Sequence, residues 1–253
     1  MPSANPVVPI AGAADRDGRV FERFLAEVRA RHLAEWLPAE ASVVLDVSRS
    51  CPGLLSLMLE AGHTVVHAEP QPRRLDIGSA RGPGRLLTVQ ADPRVPDWLA
   101  DGQLDVVVAE AGTLSGALAA ELTVDRLHQA LRPGGRLLLG VDSLVAGLAS
   151  LADQGRWAEL ADVPAADVVL IPGDAGHVTR CFWPEELHGM LTAAGFTVEW
   201  IRPRTVLTQE TVTRALHQDP DQLDSLVTTE LALEVRRQGE SIGAQLLASA
   251  IRD

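Results

Sequence analysis

The chain alternates between short apolar runs and segments whose apolar residues recur at helical spacing. The apolar runs are rich in Val and Leu and predict five strands, at 41–47, 63–70, 85–92, 104–111 and 136–142. The segments with helical spacing predict helices at 18–37, 53–62 and 119–131. Strands that are apolar throughout are buried on both faces. The pattern therefore predicts a parallel sheet covered by helices on each side.

The alternation changes after the fifth predicted strand. Residues 143–181 interrupt it: 143–160 have a helical pattern, and an irregular segment follows at 172–182. The remaining predicted elements are a helix at 184–195, a strand at 196–203, a helix at 221–239 and a strand at 243–253. Of the shorter connections, 72–82 reads as a helix or a loop, 96–102 as a short helical connection and 133–135 as a turn.

Composition narrows the classes of partner and of environment. The net charge is −12, without a cluster of Lys and Arg, which argues against nucleic acid as the main partner. The two cysteines form no CxxC pair, so we expect a protein of the reducing cytoplasm. We expect no membrane span, because no apolar run reaches about 18 residues. The first residues lack the pattern of a signal peptide.

The stretch VLDVSRSCPG carries the first candidate site, because it runs from a predicted strand into a turn. In a parallel sheet with covering helices, ligands bind at the carboxyl ends of the strands. Ser48, Ser50 and Gly53 follow the spacing of a GxGxxG turn, with serine in place of two glycines. Glycine suits such a turn because it allows positive φ and a close approach of the ligand to the backbone. A serine side chain restricts both the range of φ and the approach of the ligand.

Two acidic residues end the next predicted strands. Glu69 stands about twenty residues past the turn, where a carboxylate can accept hydrogen bonds from ribose hydroxyls. Asp92, in VQADP, can face an adenine amino group across the same crevice, or it can cap the turn at Pro93. A nicotinamide-dinucleotide enzyme is the nearest alternative for a turn of this kind. Pro52 and the missing glycines argue against it, because pyrophosphate needs an open helix N-terminus.

The sequence resembles the class I S-adenosylmethionine-dependent methyltransferases of small molecules. The resemblance lies in VVLDVSRSCPGLLSLMLEAGHTVVHAEP, VQADP, LDVVVAEAG and LHQALRPGGRLLLGVD, and WPEELHGMLTAAGFTVEWI is similar to the helix and sixth strand of that family. It implies a Rossmann-like α/β fold, with a seven-stranded, mostly parallel sheet, an antiparallel last strand, helices on both faces and a helical lid insertion. It covers about 40–253, with an interruption at 143–181.

The resemblance also implies roles for particular residues and segments. It implies S-adenosylmethionine as the cofactor and a small-molecule acceptor as the partner, and it leaves a homodimer open. The expected organisation is a flexible tail at 1–14, an N-terminal helical lid at 15–40 and a methyltransferase domain at 41–253, in which 143–181 is a lid or substrate insertion. The expected cofactor-binding residues are Asp46, Ser48, Ser50, Gly53, Glu69, Asp92 and Glu110.

Two residues are candidates for a catalytic base. His177 lies in the segment that such enzymes use as a substrate lid, and histidine titrates near neutral pH. Asp142, just past the fifth predicted strand, is the second candidate. We predict no metal site, because His63 and His67 have neither a nearby cysteine nor a third ligand.

The sequence therefore predicts methyl transfer from S-adenosylmethionine to an oxygen or nitrogen atom of a small molecule. The altered first turn keeps a second hypothesis open. In it the protein retains the fold but is catalytically inactive or repurposed, acting as a binding or partner subunit or catalysing a reaction other than methylation.

Overall fold

The computed structural model describes residues 11–48, 52–71, 82–110, 112–166, 168–172 and 177–253. The helices in these ranges are α1 (Ala11–Trp36), α2 (Pro52–Glu60), α3 (Ala120–Ala130), α4 (Leu144–Asp153), α5 (Trp157–Asp162), α6 (Pro184–Ala193), α7 (Gln209–Gln218) and α8 (Leu223–Arg236). The strands are β1 (Val43–Asp46), β2 (Thr64–Ala68), β3 (Arg85–Val89), β4 (Leu104–Ala109), β5 (Leu131–Asp142), β6 (Val169–Pro172), β7 (Val178–Cys181), β8 (Phe196–Arg204) and β9 (Gln245–Arg252).

Seven of these strands form one sheet, in the order β3-β2-β1-β4-β5-β9-β8. The first five strands in this order run parallel to one another. The last strand of the chain, β9, lies between β5 and β8 and runs antiparallel to both. The predicted fold class is therefore confirmed: the sheet has seven strands, is mostly parallel and contains an antiparallel last strand.

Apolar side chains cover both faces of the sheet, as the uninterrupted Val and Leu runs predict. On one face, Val107 and Leu139 belong to a buried cluster that includes residues of α3 and α6. On the other face, Val106 and Leu138 pack in a cluster with α1 and α2. Strands β4 and β5 thus alternate their side chains between two helical layers.

Helix α1 joins the second of these layers to the C-terminal helices. Phe24 and Val28 are buried against residues of α7 and α8. Near the C-terminal end of α1, Trp36 Nε1 donates a hydrogen bond of 2.8 Å to Ser249 Oγ of β9. The predicted tail at 1–14 overlaps this helix at residues 11–14, and residues 1–10 lie outside the described part of the chain.

The segment that follows β5 forms a small unit of its own at the carboxyl edge of the parallel strands. It contains α4, α5, a 3-10 turn and an antiparallel hairpin of β6 and β7. The backbone nitrogen of Phe182 donates to the carbonyl of Asp142 at 3.0 Å, and that of Arg180 donates to the carbonyl of Ser115 at 2.8 Å. These bonds attach the unit next to the ends of β4 and β5.

Several element predictions were wrong. The irregular segment expected at 172–182 overlaps the β6–β7 hairpin, whose strands have only four residues each. The helical connection expected at 96–102 forms turns, and α7 was not predicted. The turn expected at 133–135 lies within β5, where the register with β4 shifts and Gly134 has a φ of 77°.

Gly243, before β9, offers a test of close backbone packing. A Cβ atom at this position would lie 2.2 Å from the carbonyl oxygen of Arg204, so the Gly243→Ala substitution forces two backbone segments apart. We expect it to lower the free energy of unfolding by more than about 2 kcal/mol, measured by urea denaturation.

The matched control is Gly189→Ala in α6, where a Cβ atom would meet nothing within 4 Å. It should raise stability by about 0.5–1 kcal/mol, because alanine favours a helix interior over glycine. Equal stability of the Gly243→Ala variant and the wild-type protein would contradict the packing seen at β9.

Candidate functional site

Acidic residues stand at or just past the carboxyl ends of the five parallel strands. Asp46 ends β1 and Asp142 ends β5, whereas Glu69, Asp92 and Glu110 follow β2, β3 and β4. Because these strands point the same way, all five residues lie along one edge of the sheet, where ligands bind in folds of this kind. The structure thus places five of the predicted site residues along a single edge.

Asp46 braces the turn that follows β1. Its side chain is buried, and its Oδ1 accepts a hydrogen bond of 2.9 Å from the backbone nitrogen of Ser48. Its Oδ2 lies 2.8 Å from Nδ1 of His67 on the neighbouring strand. One carboxylate therefore fixes both the start of the turn and a histidine on β2.

His67 lies next to the predicted site residues, and the sequence did not predict its contact with Asp46. Burial alone would lower the pKa of this histidine, but the hydrogen bond with Asp46 and the charges of Asp46 and Glu69 outweigh burial and raise the pKa. His63 lies at the other end of the strand, where burial lowers its pKa. Among the described residues, no group of three His, Cys, Asp or Glu side chains could hold a metal ion.

Ser48 is buried, and its hydroxyl bonds to the end of β4. Its Oγ accepts from the backbone nitrogen of Glu110 at 3.0 Å and lies 3.5 Å from the carbonyl of Val108. Thr113 adds a second link, because its Oγ1 donates to the carbonyl of Val47 at 2.7 Å. The turn after β1 and the loop after β4 are thus joined through side-chain hydroxyls.

The described part of the chain shows no contact that supports a role in the site for Ser50 and Gly53, the other two residues predicted for this turn. Ser50 lies outside the described residues. Gly53 is exposed in the first turn of α2, and a Cβ atom there would meet nothing within 4 Å. Packing among the described residues therefore does not require glycine at position 53.

Glu69 and Asp92 are both held by the backbone of their own loops. Glu69 is buried, and its Oε1 accepts from the nitrogen of Gln71 at 2.9 Å. Asp92 Oδ1 accepts from the nitrogen of Arg94 at 2.9 Å, and the Arg94 guanidinium lies 2.8 Å from Asp92 Oδ2. Asp92 therefore caps the turn that contains Pro93, which is one of the two roles that the sequence left open.

Glu110 is directed into the protein, where it forms an ion pair with Arg204. Nη1 of Arg204 lies 2.9 Å from Oε1 and 2.8 Å from Oε2 of Glu110, and the two residues are only 1% and 2% exposed. Strands β4 and β8 are separated by β5 and β9, a distance of about 14 Å at ordinary strand spacing. Two long side chains cover that distance. A direct contact of the Glu110 carboxylate with a cofactor stays a prediction that this geometry does not favour.

Further ionisable side chains surround Arg204. Its Nε lies 3.5 Å from Oε1 of Glu234, whose Oε2 is 2.8 Å from Nδ1 of His32 on α1. Burial alone would lower the pKa of Arg204, but the charges of Glu110 and Glu234 raise it. Arg204 therefore stays charged in this buried cluster.

The chain leaves β8 through a strained residue. Thr205 has a φ of 60°, a left-handed conformation that costs a non-glycine residue about 1–2 kcal/mol. Glu230 of α8 stabilises this bend by accepting from the nitrogens of Val206 and Leu207 at 2.8 and 2.9 Å. Burial raises the pKa of the Glu230 carboxyl, and the backbone hydrogen bonds oppose that rise.

The two candidate bases lie in different surroundings. Asp142 is half-buried beside the loop after β4, and its Oδ2 would lie 3.4 Å from a Cβ atom at Gly112. His177 is exposed just before β7, near the hairpin pair Pro172 and Val178. It is five residues from Phe182, about 16 Å along an extended strand, and Phe182 is the residue that bonds to Asp142. The structure does not bring these two candidates together.

In the described part of the chain, no helix is both long enough and apolar enough to cross a membrane.

His67 offers a direct test of the Asp46 contact. We expect its pKa, measured by NMR titration of the ring, to lie above the ordinary histidine value of about 6.5. Replacing the carboxylate in Asp46→Asn should lower that pKa, because burial then has less opposing charge. The contact therefore contributes stability below about pH 6.5 that is lost as the pH rises through the folded-state pKa.

His63 serves as the internal control on the same strand. Its pKa should stay below about 6.5 in both proteins, because burial, the cause of its shift, is unaltered. A His67 pKa that does not respond to Asp46→Asn would show that the two side chains do not interact.

No family model and no curated protein matches the chain. Solved structures do match it. An S-adenosylmethionine-dependent methyltransferase from Mesorhizobium loti has a TM-score of 0.60 at 17% identity, covering 88% of this chain and 96% of its own. A methyltransferase from Methanosarcina mazei has a TM-score of 0.55 at 16% identity, covering 86% and 95%.

A third solved structure contains bound molecules. It is the 1,6-didemethyltoxoflavin-N1-methyltransferase of Burkholderia thailandensis, determined with 1,6-didemethyltoxoflavin and S-adenosylhomocysteine. The TM-score is 0.56 at 18% identity, and the match covers all of this chain and 94% of that one. Identities this low show the fold alone. From its strand order and these similarities, the chain has the fold of the class I S-adenosylmethionine-dependent methyltransferases.

Proposed function

We propose that the protein transfers a methyl group from S-adenosylmethionine to an oxygen or nitrogen atom of a small molecule. The observation that carries the proposal is the pair of buried carboxylates, Asp46 and Glu69, at the ends of β1 and β2 in a methyltransferase fold. The turn between β1 and α2 and the end of β2 together form the edge where such a fold binds a nucleoside.

The side chains at this edge suit the nucleoside part of the cofactor. A carboxylate offers about four acceptor positions, and Glu69 uses one of its oxygens for Gln71. Acceptor capacity therefore remains for two ribose hydroxyls. Asp92 would face the adenine, and the turn with Ser48 would face the methionine part.

The chemistry requires alignment more than activation, because the sulfonium of the cofactor already carries a reactive methyl group. The protein would hold the acceptor atom in line with that methyl group, which replaces a bimolecular encounter by a fixed geometry. Asp142 is the better placed of the two candidate bases, since it borders the loop after β4. Asp142 would take the proton from the acceptor atom. His177 could take that proton only if the β6–β7 hairpin moved.

The unit at 143–181 and helix α1 would enclose the acceptor. The unit is attached beside Asp142, at the edge where the reaction would occur, which supports a lid role. The contacts of α1 with α7, α8 and β9 support a role as a fixed wall. A lid at 15–40 would have to break those contacts.

The class of acceptor is supported by the charge of the chain and by one neighbour. A net charge of −12 does not suit a polyanion such as RNA or DNA. The Burkholderia neighbour was determined with bound 1,6-didemethyltoxoflavin. We therefore propose a role in small-molecule metabolism.

A second function has its own supporting observations. The hydroxyl of Ser48 and the carboxylate of Asp92 already have partners within the chain. A repurposed protein that keeps the fold as a binding or partner subunit fits that arrangement. This second function would be favoured if S-adenosylmethionine neither raised the melting temperature of the purified protein nor gave a heat of binding.

Glu69→Gln tests the proposed ribose contact. The amide keeps the shape of the side chain and an acceptor for Gln71, but it removes the charge that would face the ribose. We expect the dissociation constant of S-adenosylmethionine, measured by calorimetry, to rise roughly 5- to 150-fold, which corresponds to about 1–3 kcal/mol.

Glu60→Gln is the control, since Glu60 is an exposed carboxylate at the end of α2. It should leave the dissociation constant unchanged. Equal affinity of the Glu69→Gln variant and the wild-type protein would remove Glu69 from the site.

A further inference from the structure

We propose that Arg204 is a positioning residue for the turn after β1, and that it acts through Glu110. The inference rests on the proposed function in one respect, namely that this turn holds the cofactor. Arg204 itself lies at the end of β8, three strands from β4 and four from β1 in the order of the sheet. Its effect on the turn must therefore pass through other residues.

The connection from Arg204 to the turn has two steps. Arg204 Nη1 bonds to both carboxylate oxygens of Glu110, which fixes the side chain of the residue that directly follows β4. The backbone nitrogen of Glu110 then donates to Oγ of Ser48, and the nitrogen of Ser48 donates to Asp46. A shift of Glu110 would thus move this donor, its backbone nitrogen, away from the acceptor in the turn, Oγ of Ser48.

Two glycines restrict the positions that the ion pair can take. A Cβ atom on Gly140 of β5 would lie 2.6 Å from Oε2 of Glu110, so the carboxylate lies directly over this strand. A Cβ atom on Gly243 would lie 2.2 Å from the carbonyl oxygen of Arg204. Gly140 therefore lies close to the carboxylate of Glu110 and Gly243 close to the backbone of Arg204, and packing at this density leaves little room for adjustment.

Net stability does not explain the pair well. Taking two charges out of water costs about as much as their attraction returns, so an apolar pair of similar volume is often equally stable. Nη2 and Nε of Arg204 are buried and find no hydrogen-bond partner in the described part of the chain, which adds to that cost. The pair provides instead a fixed geometry between β4 and β8.

Helices α1 and α8 hold the arginine end of the connection. Glu234 of α8 lies 3.5 Å from Nε of Arg204 and 2.8 Å from the ring of His32 on α1. Glu230 accepts from the two residues that follow Thr205. Both helices thus fix the position from which Arg204 reaches Glu110.

The test compares two double variants. Glu110→Met with Arg204→Met replaces the buried pair by side chains of similar volume without charge. Arg136→Met with Glu199→Met makes the same changes in an ion pair of 2.9 Å between β5 and β8, toward the opposite edge of the sheet from Arg204. A third protein, Glu110→Gln, keeps an acceptor for Arg204.

The first readout is hydrogen exchange at the amides of Ser48 and Glu110, relative to the amide of Leu247 in β9. We expect about tenfold or faster relative exchange at both amides in the Glu110–Arg204 double variant, and a smaller change in Glu110→Gln. The control double variant should show no relative change. The dissociation constant of S-adenosylmethionine should rise about tenfold or more in the first double variant, by a smaller factor in Glu110→Gln, and not at all in the control double variant.

Unchanged relative exchange in the folded Glu110–Arg204 variant would overturn the proposal, and so would faster exchange with unchanged cofactor affinity. If that variant does not fold, Glu110→Gln decides by the same two readouts. A wild-type protein that does not bind S-adenosylmethionine would overturn the proposed function. The exchange comparison would then still decide whether Arg204 positions the turn.

Discussion

The ion pair between Glu110 and Arg204 joins two strands that have no hydrogen bonds to each other. It crosses β5 and β9 inside the protein, at the edge where the parallel strands end. At that edge the strands stop pairing while the helices still cover them, so each polar group needs a partner within the chain. Asp46 with His67, Ser48 with Glu110, and Glu230 with the bend after Thr205 satisfy the same requirement.

This requirement explains how Ser48 can stand in the first turn, where a GxGxxG spacing would have glycine. Glycine would let the first turn approach a ligand closely, but it offers no side chain to hold the turn. Ser48 provides a hydroxyl that bonds to β4, and Asp46 provides a carboxylate that bonds to the turn. The two side chains thus hold the turn in place, and under the proposed function the affinity for the cofactor depends on the position that they give the turn.

Apolar patterning was sufficient to predict the sheet, because strands such as Val106–Val108 are buried on both faces and read as continuous runs. The resemblance added the antiparallel placement of β9. Arg204 could not be found this way, since its partner Glu110 is 94 residues away and neither residue shows its burial in the local pattern. The β6–β7 hairpin was missed for a related reason: its strands have only four residues each, and the partners that bury Val169 and Ile171 include Leu144 and Leu151 of α4, which lie elsewhere in the chain.

The central claim is that the edge formed by Asp46, Ser48 and Glu69 is a nucleoside site. A crystal structure of the protein with S-adenosylhomocysteine tests it most directly. The account predicts the ribose hydroxyls within hydrogen-bond distance of the Glu69 carboxylate and the methionine part against the turn at Ser48. A crystal grown with saturating S-adenosylhomocysteine in which this edge holds no ligand, or in which the ligand lies elsewhere, would contradict the account.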